Sequence, residues 1–372
     1  MKALLFVHAL NDRTIADVAC TLAEETRAAG HDVALAAAIV ERRTVRRPVD
    51  VELMDLGQST GGSWRSILPL RRAIVRYRPQ VIFAHGSGPA RASVVATRTV
   101  TPRPTVIAVE HNHYSSYAWS HRKVRFLLDS MLVPRADWVV GVAPEIVTDL
   151  EMTFSALRGR TTYIPPPLTR WRHLEQLANE PITHPWFETP GDIVVSVANI
   201  HARKDPETLV RAVIQANQRR TRPLRLVVIG RPMDAQLHLR LESLVEATGM
   251  TERIQFLGFI QNPLPYVRKA TLFALTSRNE GLPISLLEAM ALGTPVVSTD
   301  CPSGPRFLLE EGRVGRLVPV GDVSAVANTL EGLIDDQRER RRLAQAAARR
   351  VADFKPDRVA AEYLHLASTL GQ

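Results

Sequence analysis

The chain is 372 residues long, 45% hydrophobic and 23% charged, enough for two cores of roughly 150 residues each and unlike a disordered or fibrous protein. Forty-seven Lys and Arg against 38 Asp and Glu leave a net charge of +9, which favours nucleotide phosphates, nucleic acid or acidic membrane surfaces without choosing among them. Two cysteines, Cys20 and Cys301, exclude a disulfide framework or zinc site, and no apolar run near the start suits a signal peptide or membrane span, so the expected home is the reducing cytoplasm.

From the amino end onward, apolar β-branched runs alternate with helix-length amphipathic stretches, a rhythm that predicts parallel sheets covered by helices. In the first half, strands are expected at 3–8, 33–36, 81–85, 105–109, 138–142 and 162–164, with helices over 14–29, 65–77, 88–99, 120–132 and 144–153. Ile164-Pro-Pro-Pro-Leu168 and the polar stretch to Gly191 read as a linker. The second half repeats the rhythm, with strands at 193–198, 224–229, 254–257, 272–275, 295–298 and 315–318 and helices over 206–218, 236–248, 284–292 and 322–334. Domains are therefore expected over 1–168 and 169–355, followed by a closing helix in 356–372 with Val359, Tyr363, Leu366 and Leu370 at helical spacing. The basic run at 338–350 is diluted by Asp335, Asp336 and Glu339 and reads as a solvated helix face.

Chemistry concentrates in Ser277-Arg-Asn-Glu280-Gly281-Leu282-Pro283-Ile284-Ser285-Leu-Leu-Glu288-Ala-Met-Ala-Leu-Gly293-Thr-Pro295. Pro283 suits a first helical position, while Gly293 and Pro295 end the helix. Its amino end follows a strand, where free N–H groups and the helix dipole hold anions. Leu287, Met290 and Ala291 are expected as its buried stripe, with Glu288 on the flank and Glu280 in the preceding loop. Two carboxylates beside a phosphate site suit sugar hydroxyls better than phosphate, which points to a nucleotide sugar. The alternative is that Glu280 caps the helix and Glu288 is a surface carboxylate.

Glu280 and Glu288, followed by Gly293-Thr-Pro-Val-Val-Ser-Thr-Asp300, Pro302-Ser-Gly-Pro305-Arg306 and Gly315-x-Leu317-Val-Pro-x-Gly321-Asp322, resemble the donor-site signature of glycosyltransferase family four, retaining enzymes of the GT-B fold. The resemblance implies an α/β architecture of two Rossmann-like domains facing each other across a cleft that binds the donor. It implies Glu288 on the nucleotide ribose, Glu280 at the donor sugar, and the backbone of Gly281, Leu282, Pro283, Ile284 and Ser285 around the sugar and diphosphate. It also implies that the closing helix crosses back to the first domain.

In Ala198-Asn199-Ile-His-Ala-Arg203-Lys204-Asp205-Pro206, Asp205 and Pro206 open a helix. The family often carries Gly-Arg-Leu and, three residues on, Lys at this place. Lys204 matches as a phosphate ligand, Asn199 stands where the arginine belongs, and Arg203 is the substitute or a surface residue. In the first half, His85, His111 and His113 fall at the ends of expected strands, the edge where open α/β sheets bind ligands. His111 fits the family's histidine near donor sugar and acceptor, whereas His85 and His113 serve either structure or site. The first loop, His8-Ala-Leu-Asn11-Asp12-Arg13, lacks the family's Gly-rich turn.

No Asp-x-Asp or His/Asp/Glu cluster calls for a metal, so no cofactor is expected beyond the nucleotide-sugar substrate. The resulting expectation is a metal-independent, retaining hexosyl- or N-acetylhexosaminyltransferase acting on a glycan or lipid-linked acceptor. A GT-B sugar-nucleotide epimerase and a non-catalytic sugar-nucleotide-binding protein are the alternatives. Nucleic acid is set aside, because the basic excess lacks stacking aromatics on a recognisable module. Residues 51–100 hold seven Arg against Glu52 and Asp55. Segments 64–78 and 114–128, the latter with Tyr117, Trp119, His121, Arg122, Lys123, Arg125 and Phe126, mix cations with aromatic and aliphatic side chains. They read either as an interface with an anionic membrane, placing the enzyme on the inner face of the plasma membrane, or as helices with Leu68, Ile74 and Val75 buried.

Overall fold

A strand covered by helices on both faces needs a continuous apolar run, and β1 (Lys2–Leu10) and β4 (Val81–His85) are runs of that kind. The computed structural model describes residues 1–11, 14–41, 46–59, 62–115 and 123–371, with backbone alone at 123–125. Its chain divides into two units, Met1–Thr169 with Asp353–Gln372, and Arg170–Ala352.

The first unit runs β1, α1 (Thr14–Ala28), β2 (Asp32–Val40), β3 (Glu52–Asp55), a 3-10 turn (Ser63–Ser66), α2 (Ile67–Tyr77), β4 and α3 (Ser87–Ala96). It continues through β5 (Thr105–Glu110), α4 (Lys123–Leu132), β6 (Trp138–Gly141), α5 (Pro144–Thr153) and β7 (Thr161–Tyr163). All the strand pairings are parallel, in the order β3-β2-β1-β4-β5-β6-β7. β3 was not anticipated: it is a four-residue edge strand with exposed Glu52 and Asp55 at its ends, too short and too polar to announce itself. Leu4, Phe6 and Ile82 pack with Leu70, Ile74 and Tyr77 of α2 in one apolar cluster. Of the three residues expected beneath α2, Ile74 alone is buried; Leu68 and Val75 are exposed, as is Trp64. The described residues exclude Asp12 and Arg13 of the first loop and Tyr117, Trp119, His121 and Arg122 of the aromatic segment, so those expectations lie outside them.

The second unit holds α6 (Leu174–Ala178), β8 (Asp192–Val197), α7 (Pro206–Arg219), β9 (Leu224–Ile229), α8 (Ala235–Ala247), β10 (Ile254–Gly258), α9 (Leu264–Lys269) and β11 (Leu272–Leu275). Then follow α10 (Ile284–Ala291), β12 (Val296–Thr299), α11 (Pro305–Leu308), β13 (Arg316–Val318), α12 (Val323–Asp335) and α13 (Gln337–Arg350). Its pairings are again parallel, ordered β10-β9-β8-β11-β12-β13. Leu209 and Val213 of α7 share a core with Leu226, Val228, Val326 and Leu330. The stretch after Leu168 is not the expected open linker. It folds into α6 and a 3-10 turn with Trp186 buried, and His184 Nε2 lies 2.9 Å from Gln255 Oε1, while Asn262 donates to the Leu177 carbonyl. Polar composition hid aromatic anchors that need only a few buried positions.

α14 (Pro356–Leu370) belongs to the first unit, where Tyr363 meets Phe83 edge to face at 5.4 Å. Among the described residues no helix is long and apolar enough to cross a membrane.

Candidate functional site

In each sheet the chain leaves a central strand in one direction, then returns to the other side of it, and the crevice at such a switch point is where open parallel sheets bind ligands. In the second unit that point lies between β8 and β11. Beyond β8, the 3-10 turn Ala202–Lys204 ends on Asp205, whose φ of 46° is left-handed and whose carboxylate caps α7 by accepting from the Thr208 N–H at 3.4 Å, and accepts from the Thr208 hydroxyl as well at 2.9 Å. Asp205 also anchors the neighbouring loop. Its carbonyl accepts from Thr276 Oγ1 at 2.8 Å, its carboxylate pairs with Arg278 at 2.9 Å, and the Arg203 carbonyl accepts from the Arg278 N–H.

This stitching brings Lys204 Nζ to 2.5 Å from Glu280 Oε1. Ser277 Oγ donates to the same oxygen at 2.6 Å. Glu280 is 4% exposed, so these donors replace water around a buried carboxylate. The loop is held from behind as well: Thr299 Oγ1 donates to the Ser277 carbonyl and Ser303 Oγ to the Glu280 carbonyl, each at 2.5 Å. At Gly304, where φ is 82°, a Cβ would fall 2.2 Å from the Gly281 oxygen, so glycine there lets two backbones touch. Burial first, then the nearby Glu280 carboxylate, push the Cys301 thiol up to about 12, which keeps it protonated and unreactive.

Glu280 therefore does not cap α10. Pro283 occupies the capping position, one residue earlier than expected, and no side chain caps the helix. Pro283 itself has no N–H to offer at this end. Glu288 stands partly buried on α10; Leu287 and Met290 are buried as expected, and Ala291 only partly. Arg203 is exposed next to Lys204. Asn199 has a structural task, its Oδ1 accepting from the Arg231 N–H at 2.9 Å.

That hydrogen bond leads to a feature not singled out from the sequence. Gly230 follows β9 so closely against Ala198 that a Cβ would lie 2.1 Å from the Ala198 oxygen. Next to it, the Arg231 guanidinium lies 4.0 Å from the centre of the half-exposed Phe259 ring. The signal available was a glycine at the end of each strand, Gly230 and Gly258, just before the two residues.

In the first unit the switch point lies between β1 and β4. β4 ends at His85, and Gly86, with φ of 90°, turns the chain into α3. One strand over, β5 ends at Glu110, followed by His111. His85 Nδ1 and His111 Nε2 are 3.2 Å apart. Burial lowers His111 to about 4, and burial together with the neighbouring ring holds His85 well below the ordinary histidine range. Both are neutral at pH 7. His113 is drawn elsewhere, its Nδ1 lying 3.5 Å from Asp149, which also accepts from the Tyr114 N–H at 2.6 Å; it pins the loop. Asn11 donates to Glu41 at 2.9 Å in the first loop. The structure thus joins Lys204 with Glu280 and His85 with His111, within separate units.

Comparison with known proteins follows the same division. The model described as Glycosyltransferase Family 4 matches residues 15–169, and that described as Glycosyl transferases group 1 matches residues 184–350. A lipopolysaccharide core biosynthesis glycosyltransferase of Rhizobium meliloti is 30% identical over 183 residues, 48% of this chain and 51% of its own. An N-acetylgalactosamine-N,N'-diacetylbacillosaminyl-diphospho-undecaprenol 4-alpha-N-acetylgalactosaminyltransferase of Campylobacter jejuni is 26% identical over 261 residues, 70% of this chain and 66% of its own. The chain thus spans about half to two thirds of the length of the curated relatives it matches. The Anabaena protein HepE, solved in complex with UDP, superposes with a TM-score of 0.81 at 17% identity, covering 99% of this chain and 100% of that one; it shows the fold alone. With one family model on each Rossmann-like unit and GT-B structures as its neighbours, the chain belongs to glycosyltransferase family four.

Proposed function

We propose that the protein transfers a hexosyl or N-acetylhexosaminyl group from a nucleotide-diphosphate sugar to a hydroxyl of a glycan or lipid-linked acceptor, with retention at the anomeric carbon and without a metal ion. The observation that carries this reading is the Lys204–Glu280 contact at a sheet switch point. A cation and a carboxylate side by side offer partners for phosphate and for sugar hydroxyls in one place. Lys204 and the amides at the start of α10 take the diphosphate, Glu280 the sugar hydroxyls and Glu288 the ribose. Arg231 and Phe259 offer a platform on which a planar base stacks. The acceptor oxygen bonds to the anomeric carbon on the face that the diphosphate leaves. Its proton passes to a phosphate oxygen of the donor, and Lys204 meets the charge growing on the leaving group. His111 hydrogen-bonds the transferred sugar or the acceptor.

A lipid-linked acceptor draws support from the undecaprenol in the Campylobacter relative's name. A thermal-shift screen of nucleoside diphosphates and their sugars tests the reading. A true donor at a hundredfold excess over its dissociation constant adds about 2.7 kcal/mol of apparent stability. Absence of any shift across the panel overturns it, and an epimerised donor formed without acceptor favours the epimerase instead. Turnover unchanged by EDTA is the expected result for a metal-independent enzyme.

We infer a second partner, an anionic membrane surface at the inner face of the plasma membrane, from the exposed stripe Trp64, Leu68, Arg72 and Val75 along the 3-10 turn and α2. Apolar side chains flanked by cations suit a headgroup interface, where each cation contributes about 1 kcal/mol. Salt-sensitive sedimentation with anionic but not neutral liposomes, lost in Trp64→Ala with Arg72→Glu, is expected. No binding at low salt discards this partner.

A further inference from the structure

The two neutral imidazoles of the first unit share one hydrogen across 3.2 Å, and either ring is able to supply it. The environment of His85 breaks that symmetry. His85 is 2% exposed, and its Nε2, buried, has no hydrogen-bond partner among the described residues. If His111 were the donor, the hydrogen of His85 would sit on Nε2 and leave a buried N–H without an acceptor, an arrangement rarer and costlier than an unused lone pair. With the hydrogen on Nδ1 instead, His85 donates to His111 Nε2 and buries only a lone pair.

We propose that His85 is a positioning residue that holds His111 in the tautomer carrying its hydrogen on Nδ1, so that His111 presents a donor to an oxygen of its ligand and never a basic lone pair. The inference rests on the reading of His111 as a site residue and deepens it, because it restricts that residue to hydrogen-bond donation. The lone pair that would accept a proton is already engaged by His85. Gly86 fixes the partner's place: its N–H bonds to the Val109 carbonyl at 2.7 Å, tying the end of β4 to β5 immediately before His111. The lowered affinity of both rings for protons, caused chiefly by burial, keeps the pair neutral and the tautomer defined.

Nitrogen-15 NMR of the 372-residue chain labelled in histidine, without any ligand, reads the tautomer directly, with the His111 signals identified by their loss in His111→Gln. In the wild type, His111 Nδ1 is expected to appear as the protonated nitrogen and Nε2 as the unprotonated one. His85→Phe removes the donor while filling the space, and is expected to shift His111 toward the tautomer with its hydrogen on Nε2. His85→Asn places an amide N–H near the old Nδ1 and is expected to restore the wild-type pattern. A wild-type His111 protonated on Nε2 overturns the proposal, as does a His85→Phe spectrum with His111 unchanged. The wild-type spectrum decides even if a variant fails to fold. Full turnover in His111→Ala, with a nucleotide sugar found by the thermal screen, would instead remove His111 from the site while the spectra still judge the role of His85.

Discussion

At the switch point of the second sheet a lysine and a glutamate meet at 2.5 Å, whereas beside that of the first sheet two uncharged imidazoles meet at 3.2 Å. Both pairs stand at or just beyond the carboxyl ends of parallel strands, next to a residue of positive φ, Asp205 in one unit and Gly86 in the other. The difference lies in what each pair asks of its surroundings. A buried carboxylate must collect donors, and Glu280 has Lys204 and Ser277 on one oxygen, while Ser303 and Thr299 hold the Glu280 and Ser277 carbonyls from behind. Two histidines avoid that demand by staying neutral. Corresponding strand ends thus carry a charged pair in one unit and a directional, uncharged hydrogen bond in the other.

The hardest test of this contrast is at Glu280. Glu280→Gln keeps the shape but loses the charge, and turnover is expected to fall at least about a hundredfold with nucleoside diphosphate affinity little changed. Steady-state kinetics with calorimetry separates the two, and undiminished turnover would reduce the second site to a structural knot. Lys204→Ala acts on binding and folding together. It leaves a buried carboxylate without its cation, at a cost of about 3 kcal/mol in stability, and weakens nucleoside diphosphate binding far more than nucleoside binding. The double variant Lys204→Ala with Glu280→Gln should regain part of the stability in denaturant unfolding, the coupling expected of a charged pair.

Gly304→Ala probes the layer behind the pair, since the new methyl meets the Gly281 oxygen and the backbone is left-handed. A loss of about 2 kcal/mol is expected, with weakened donor binding, because the displaced loop carries Glu280. Wild-type melting of this variant would mean the two loops are not packed as described.

The smallest effect belongs to the neutral pair. His111 is lowered from 6.5 to about 4 in the folded chain, so as pH falls below 6.5 the unfolded chain takes up a proton that the native one refuses. Stability is therefore complete above pH 6.5 and declines toward pH 4, by on the order of 1 kcal/mol once partial exposure of the ring is allowed for. Melting curves of wild type and His111→Gln between pH 7 and pH 4 isolate this contribution. Other groups such as Glu362, whose carboxyl burial raises, cancel in the difference. Parallel curves would contradict the neutral assignment.

Much of this was legible beforehand. Strands and helices that are apolar throughout or strongly amphipathic, such as β4, β9, β11 and α5, fall at the expected residues, because their period reflects burial directly. The helix start at Pro283 was visible too, to within one residue. What sequence spacing did not carry is juxtaposition. Lys204 and Glu280 are 76 positions apart, and only the crossover between β8 and β11 brings them together. Nothing in the local pattern foretold the left-handed Asp205, nor that Asn199 Oδ1 would accept from the Arg231 N–H. His85 and His111, 26 positions apart, were each visible as strand-end histidines, but their contact depends on the register of β4 against β5.

The return of α14 to the first unit has a consequence for how the chain is made. Val359, Ala360, Tyr363 and Ala367 are buried in that unit, yet they emerge from the ribosome only after the whole of residues 170–352. Until then the face of the first unit that receives them, including Phe83, is left exposed. The second unit is in effect inserted into the first, with chain crossings at 169–170 and 352–353, and is free to fold from contiguous sequence. Synthesis from the amino end usually lets the leading domain finish first. Here the order inverts: the domain that begins the chain is the last to close its core.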